Sequence, residues 1–121
     1  MNRPILGEDC IHSAIRQVIA NHHHDIIEEV QAAIAADAVV VVGMAMNPMP
    51  AKARKSLTQA GIAHTYLEYG SYFNTWRKRN ALKMWTGWPT FPMVFVKGVL
   101  VGGATDVQAL ISSGELKKML A

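Results

Sequence analysis

The stretch Trp88-Pro89-Thr90-Phe91-Pro92-Met93-Val94-Phe95-Val96-Lys97-Gly98-Val99-Leu100-Val101-Gly102-Gly103 restricts the folds open to this chain more than any other. Two apolar, β-rich runs, Met93 to Val96 and Val99 to Val101, are separated by Lys97-Gly98. A two-residue connection ending in glycine supplies the positive φ that a tight turn needs, so the stretch reads as a β-hairpin. A proline opens its first strand, where a missing N–H is tolerated. A Gly-Gly pair closes its second, where the backbone can approach a ligand or another segment closely.

Upstream, Ala38 to Val42 is a continuous apolar run with no polar alternation, as expected of a central strand covered on both faces. Met44 to Pro50 then reads as a loop, Ala51 to Ala60 as a helix stopped by Gly61, and Ala63 to Tyr69 as a second strand. Strand, helix and strand within ~30 residues form a βαβ unit, whose strands should be parallel. Asn74 to Thr86 follows as a helix with Trp76, Leu82 and Met84 or Trp85 turned inward. Thr105 and Gln108 make a capping-box pattern opening another helix, which Ser113-Gly114 interrupts before Glu115 to Leu120.

Ahead of the first strand, Ile11, Ala14, Ile15, Val18 and Ile19 recur at helical spacing and predict a helix ending near Asn21. Asp25 with Glu28 starts a second helix, whose buried stripe is Ile26, Ile27, Val30, Ala33 and Ile34 and which stops near Asp37. His22-His23-His24 lies between them. Adjacent residues at a helix end point in different directions, and no cysteine or paired carboxylate converges on them, so this is read as a solvated junction rather than a metal site. The whole is an α/β chain with a four-stranded mixed sheet flanked by helices. Residues 1–24 form an N-terminal helical extension and residues 25–121 the domain.

Composition narrows the functions. Half of the 121 residues are hydrophobic and 17% are charged, which suits a packed core. A net charge of +3 without a broad basic stripe argues against a nucleic-acid partner. The longest apolar run, Ala38 to Ala45, is far short of a ~20-residue membrane span, and the N-terminus lacks the order of a signal peptide. A cytoplasmic protein is expected. The single cysteine, Cys10, excludes an intramolecular disulfide and an internal dithiol couple.

Thr-Phe-Pro leading into a hairpin, then Gly-Gly and a helix, after a β-α-β-α series, resembles the glutaredoxin family, which has the thioredoxin fold. The resemblance covers about residues 26–120. It implies a cis peptide at Pro92 facing a redox motif between the first strand and its helix. Counting back from Leu57 and Gly61, that motif falls on Asn47-Pro48-Met49-Pro50, and both cysteine positions are empty. No catalytic residue is therefore assigned. The thiolate that would ligate an iron–sulfur cluster is also missing, and neither metal nor cluster is expected. Met44 stands where the family commonly has a lysine.

The resemblance further implies a glutathione site. Thr90 and Phe91, ahead of Pro92, would pair with the cysteinyl part of the tripeptide. Gly103, Ala104 and Thr105, at a helix start, would meet the γ-glutamyl carboxylate, and Arg79 the glycyl carboxylate. Ala104-Thr105 departs from the more usual Cys-Asp pair at this place. The function implied is a glutaredoxin-related protein of the thiol/glutathione redox system that binds glutathione or a glutathione-like peptide without dithiol catalysis. Two other readings stand beside it. Cys10 could supply the thiol of a monothiol glutathione-dependent oxidoreductase. Alternatively, the chain is a non-redox interaction module that recognises a protein peptide segment or forms a homodimer through the N-terminal helix.

Overall fold

The computed structural model describes residues 3–71 and 74–121, so the first two residues of the extension lie outside it. Two helices, α1 (Ser13–Asn21) and α2 (His24–Ala36), precede strand β1 (Val39–Gly43). Helix α3 (Pro48–Gln59) leads to β2 (Thr65–Glu68), and α4 (Trp76–Thr86) leads to the hairpin β3 (Met93–Val96) and β4 (Val99–Gly102). Helices α5 (Ala104–Ser112) and α6 (Glu115–Leu120) follow. The strands form one mixed sheet in the order β2-β1-β3-β4. β1 runs parallel to β2 and antiparallel to β3, and β3 pairs antiparallel with β4.

The apolar runs of β1 and β3 have no polar alternation because both faces of the sheet are covered. With a side-chain period of two, Val40, Val42, Met93 and Phe95 pack with Ile26 and Val30 of α2 and Leu82 of α4. Val39, Val41, Val94 and Val96 pack on the other face with Ala53 and Leu57 of α3, Val107 of α5 and Leu116 of α6. Truncating a fully buried leucine such as Leu57 or Leu82 to alanine should cost about 2–5 kcal/mol. The hairpin turns through Lys97 at φ 49° and Gly98 at φ 80°, as a two-residue connection requires.

Several boundaries differ from the sequence expectation. α3 begins at Pro48 rather than Ala51, because Asn47 caps it and the first turn of a helix has no use for the N–H groups that Pro48 and Pro50 lack. β2 is shorter than Ala63 to Tyr69: Thr65 to Glu68 are in register with β1, and the Tyr69 N–H donates to the Gly43 carbonyl at 2.9 Å. On α4, Leu82 is buried and Trp85 packs at 6.2 Å from Phe95, but Trp76 and Met84 are exposed rather than inward. The Arg77 guanidinium lies 5.1 Å from the exposed Trp76 ring. α5 is capped two residues earlier than Thr105: Gly103 is its N-cap, and its backbone N–H donates to Asp106 Oδ2 at 2.9 Å.

The largest departure is α1. It starts at Ser13, with His12 Nδ1 accepting from the Ala14 N–H, and Ile11 instead closes a separate turn at Glu8–Cys10. The apolar stripe is present, yet no residue of α1 is buried, and Ile15, Val18 and Ile19 are 49%, 66% and 44% exposed. Helical periodicity reports an amphipathic face and says nothing of a partner for it. At the α1–α2 junction, His23 takes a left-handed conformation and His24 Nε2 meets Glu28 Oε1 at 3.0 Å. Among the described residues no three His, Cys, Asp or Glu side chains converge as a metal site would require, and no helix is long and apolar enough to cross a membrane.

Candidate functional site

Strand register brings three connections to one end of the sheet. Val42 pairs with Met93 and Val94 with Gly102, so the exit of β1, the entry of β3 and the exit of β4 lie side by side. They border a groove of about 470 Å³. The segment after β1 contributes Met44, Asn47 and Met49; α4 contributes Lys83; the approach to β3 contributes Trp88 through Pro92; and the start of α5 contributes Gly103 through Asp106. The Phe91–Pro92 peptide is cis. Thr90, Phe91, Pro92, Gly103, Ala104 and Thr105, singled out in the sequence, all line this groove, as do Asn47 and Met49; Pro48 and Pro50 do not.

Asn47 ties two walls together. Its Oδ1 accepts the Met49 N–H at 3.0 Å, capping α3, while its Nδ2 donates to the Phe91 carbonyl at 3.4 Å. The start of α5 is different in kind. Asp106 holds the Gly103 N–H, whereas the N–H groups of the first turn of a helix have no intrahelical acceptor and face outward as donors. Gly102, at φ 113°, makes the sharp exit from β4, and a Cβ there would meet Asp106 Oδ2 at 2.5 Å. At Gly103 a Cβ would stand 3.5 Å from the Pro92 carbonyl oxygen, an ordinary contact.

Arg79 is not on the groove. It is buried, 6% exposed, and its Nη1 donates to the carbonyls of Asn74 at 2.7 Å and Tyr69 at 3.0 Å. The guanidinium is engaged with the carbonyls of Tyr69 and Asn74, which lie between β2 and α4. Lys83, one helical turn further on, lines the groove instead, with Nζ 5.7 Å from the centre of the Phe91 ring. Sequence reasoning missed Lys83, Trp88 as a wall, and Asp106 as the cap. The i,i+4 spacing from Arg79 to Lys83 and the three-residue step from Gly103 to Asp106 were the available signals. Trp88 Nε1 is buried without a hydrogen-bond partner.

Cys10 lies outside this groove. It is exposed, in the turn ahead of α1, with its N–H bonded to the Gly7 carbonyl at 2.9 Å. At the far edge of the sheet, Arg54 of α3 lies 4.2 Å from the centre of the Tyr66 ring, and the Tyr66 hydroxyl donates to Glu68 Oε1 at 3.0 Å. Burial, with Glu68 alongside, pushes the Tyr66 hydroxyl up to about 12.

A family profile described as glutaredoxin matches residues 39–101, which run from the start of β1 into β4. The chain belongs to the glutaredoxin family. A glutaredoxin-like protein of Dictyostelium discoideum is 48% identical over 102 residues, covering 84% of this chain and 83% of that protein. A protein of Rickettsia prowazekii named as a probable monothiol glutaredoxin 2 is 35% identical over 97 residues, covering 78% of this chain and 90% of its own length. Among solved structures, oxidized glutaredoxin 2 from Chlamydomonas reinhardtii superposes with a TM-score of 0.69 at 31% identity, covering 81% of this chain and 92% of that one. In this glutaredoxin, residues 47–50, the N-cap and first turn of α3, carry no sulfur nucleophile, since the one thioether there, Met49, cannot ionise.

Proposed function

We propose that this glutaredoxin binds glutathione, or a peptide of similar shape, non-covalently in the groove beside Pro92 and takes no part in dithiol exchange. The observation that carries the reading is the convergence of Thr90, Phe91 and Pro92, the start of α5 and Lys83 on one groove, with Met44, Asn47 and Met49 on the facing wall. A tripeptide brings two carboxylates and an extended backbone. The α5 first turn suits one carboxylate through its outward N–H groups, and the Lys83 ammonium suits the other. This assigns to Lys83 the role that the sequence pointed to at Arg79.

Thiol–disulfide exchange needs a thiolate to attack sulfur, and neither Asn47 nor Pro50 supplies one. For the same reason the donor set does not fit an iron–sulfur cluster held by a thiolate at this position. The relatives include a protein named as a monothiol glutaredoxin, which supports a place in thiol redox chemistry; Cys10 is the one thiol through which such an activity could run. A cytoplasmic setting, where thiols are kept reduced, fits a chain whose single cysteine is exposed.

The test is a titration with reduced glutathione followed by backbone NMR shifts. Perturbation centred on Phe91, Gly103 and Ala104 is expected in the millimolar range or below; shifts absent from those residues would overturn the reading. One observation favours a second role, self-association through α1, because Ile15, Val18 and Ile19 present an exposed apolar stripe. Light scattering should then give a dimer mass for the full chain and a monomer mass for Val18→Asp.

A further inference from the structure

The sheet ends in two edge strands of different character, β2 and β4. The β2 edge carries polar and charged groups: Thr65 Oγ1 donates to Asp37 Oδ2 at 3.0 Å, the Tyr66 hydroxyl donates to Glu68 Oε1 at 3.0 Å, and Arg54 lies over the Tyr66 ring. Such side chains discourage a further strand from pairing. The β4 edge, Val99-Leu100-Val101-Gly102, holds no charged residue and no proline, and Val99 is 55% exposed. Among the described residues, no backbone group of β4 bonds outside the hairpin.

Register decides which of those groups face outward. The Lys97 N–H donates to the Ala38 carbonyl at 2.7 Å, so the backbone turns alternately to β1 and to β4: Lys97 toward β1, Val96 toward Val99, and Phe95 toward Val40. Leu100 stands opposite Phe95, and its own N–H and C=O therefore point to the open edge. Val101 is an extra residue between the Phe95–Leu100 and Val94–Gly102 pairs, and this bulge ends the regular edge just past Leu100.

The Leu100 side chain packs on the face of the sheet that α2 and α4 cover. Beside it lies a cavity of about 330 Å³, lined chiefly by Ile34 and Ala35 of α2, Trp85 of α4, Phe95, Gly98 and Leu100 itself. Residues directly opposite each other in an antiparallel pair point to the same face. A residue set against Leu100 across the open edge would thus send its side chain to the face that holds the cavity.

We propose that β4 takes a short extended segment of a partner protein as an antiparallel fifth strand, whose central residue exchanges both main-chain hydrogen bonds with Leu100 and places a large apolar side chain, Phe or Leu, in the cavity. Main-chain pairing gives such a site its affinity and an adjoining pocket its specificity, and here the two meet at one residue. A second copy of this chain is the poorer occupant. In a symmetric β4–β4 pairing centred on Leu100, the facing residue is another Leu100, whose side chain is already packed in its own cluster and leaves both cavities unfilled. The cavity shares no lining residue with the groove beside Pro92, so the inference is independent of the glutathione reading.

The experiment titrates the full chain with the acetylated and amidated pentapeptide Thr-Thr-Phe-Thr-Thr and follows backbone and indole NMR shifts. Saturating shifts centred on Gly98, Val99, Leu100 and the Trp85 indole are expected in the millimolar range or below. Methylating the peptide's Phe nitrogen removes one of the two main-chain hydrogen bonds and should weaken binding about fivefold or more. Replacing that Phe by Ser should abolish saturation. Ala35→Arg, at an exposed position on the cavity, should block the peptide while leaving the fold intact. Equal binding of the methylated peptide would mean an apolar pocket without strand pairing and overturns the proposal, as does the absence of shifts at Gly98 to Leu100. Concentration-dependent shifts at Leu100 without peptide, with a dimer mass that persists in Val18→Asp, would assign the edge to a second copy and overturn it equally.

Discussion

Asn47 holds the start of α3 to the peptide ahead of Pro92, with Oδ1 on the Met49 N–H at 3.0 Å and Nδ2 on the Phe91 carbonyl at 3.4 Å. One side chain thus caps a helix and lines the groove. Asn47→Ala should lower stability by about 1 kcal/mol, the usual value of an N-cap, read as a lower denaturant midpoint with unchanged slope. Asn47→Cys should acquire a thiol that oxidised glutathione modifies, visible as a mass adduct at residue 47. Its pKa should fall below the ~8.5 of a free thiol only modestly, because releasing the Met49 N–H supplies a single donor. Adding Pro50→Ala should restore a second N–H and lower it further. A thiol at residue 47 that stays unmodified, with an unperturbed pKa, would count against a prebuilt site.

Arg79 and Lys83 lie one turn apart on α4 and should separate cleanly. Lys83→Met is expected to leave stability within about 0.5 kcal/mol of wild type and to weaken glutathione binding, since Lys83 is half-buried on the groove and pairs with no carboxylate among the described residues. Arg79→Met should do the reverse first. It leaves the carbonyls of Tyr69 and Asn74 without their charged donor and should cost at least about 2 kcal/mol. Thermal melts and ligand titrations of the two variants check the assignment.

The two glycines that close β4 predict opposite behaviour. Gly102→Ala should destabilise by about 2–3 kcal/mol, because φ 113° excludes a side chain and a Cβ would push Asp106 off the cap of α5. Gly103→Ala should fold normally, given φ −104° and a Cβ 3.5 Å from the Pro92 carbonyl oxygen, yet it places a methyl group in the groove and should weaken ligand binding. Equal loss of stability in both variants would argue against this division of roles.

Tyr66 makes stability depend on alkaline pH. Its hydroxyl is raised from 10.0 when unfolded to about 12 in the fold, first by burial and then by Glu68, with Arg54 opposing. The folded state therefore binds this proton more tightly, and the stabilisation it provides is complete below pH 10 and lost as the pH rises from 10 toward about 12. Tyr66→Phe should reduce the fall in denaturant midpoint over that window. A wild-type midpoint that is flat across it would contradict the assignment.

Much of the architecture is legible in local pattern. Continuous apolar runs in β1 and β3 follow from a sheet covered on both faces, and Lys97-Gly98 marks the hairpin because that turn needs positive φ at both residues. Thr90-Phe91-Pro92 and Gly102-Gly103 flag the groove for the same kind of reason, being backbone shapes written in residue type. The boundaries that shifted did so where two local signals competed. Thr105 with Gln108 and Gly103 with Asp106 both spell a helix start, and the sharp exit from β4 at Gly102 selects the second.

Residue type and spacing were enough to establish the βαβ unit, the hairpin, the family and the missing thiol at residues 47–50, because each rests on backbone preference, side-chain period or plain chemistry. They could not say which cation on α4 meets the groove, since the rotation of that helix against the sheet turns Arg79 onto the carbonyls of Tyr69 and Asn74 and Lys83 toward Phe91. Nor could they say that the stripe on α1 stays uncovered, because a helical period measures a face and burial needs a second surface. The occupation of the Met49 N–H is likewise a three-dimensional fact: Pro48 and Pro50 lack N–H groups by chemistry, but the one between them is taken because Asn47 turns back onto Met49 while reaching across to Phe91.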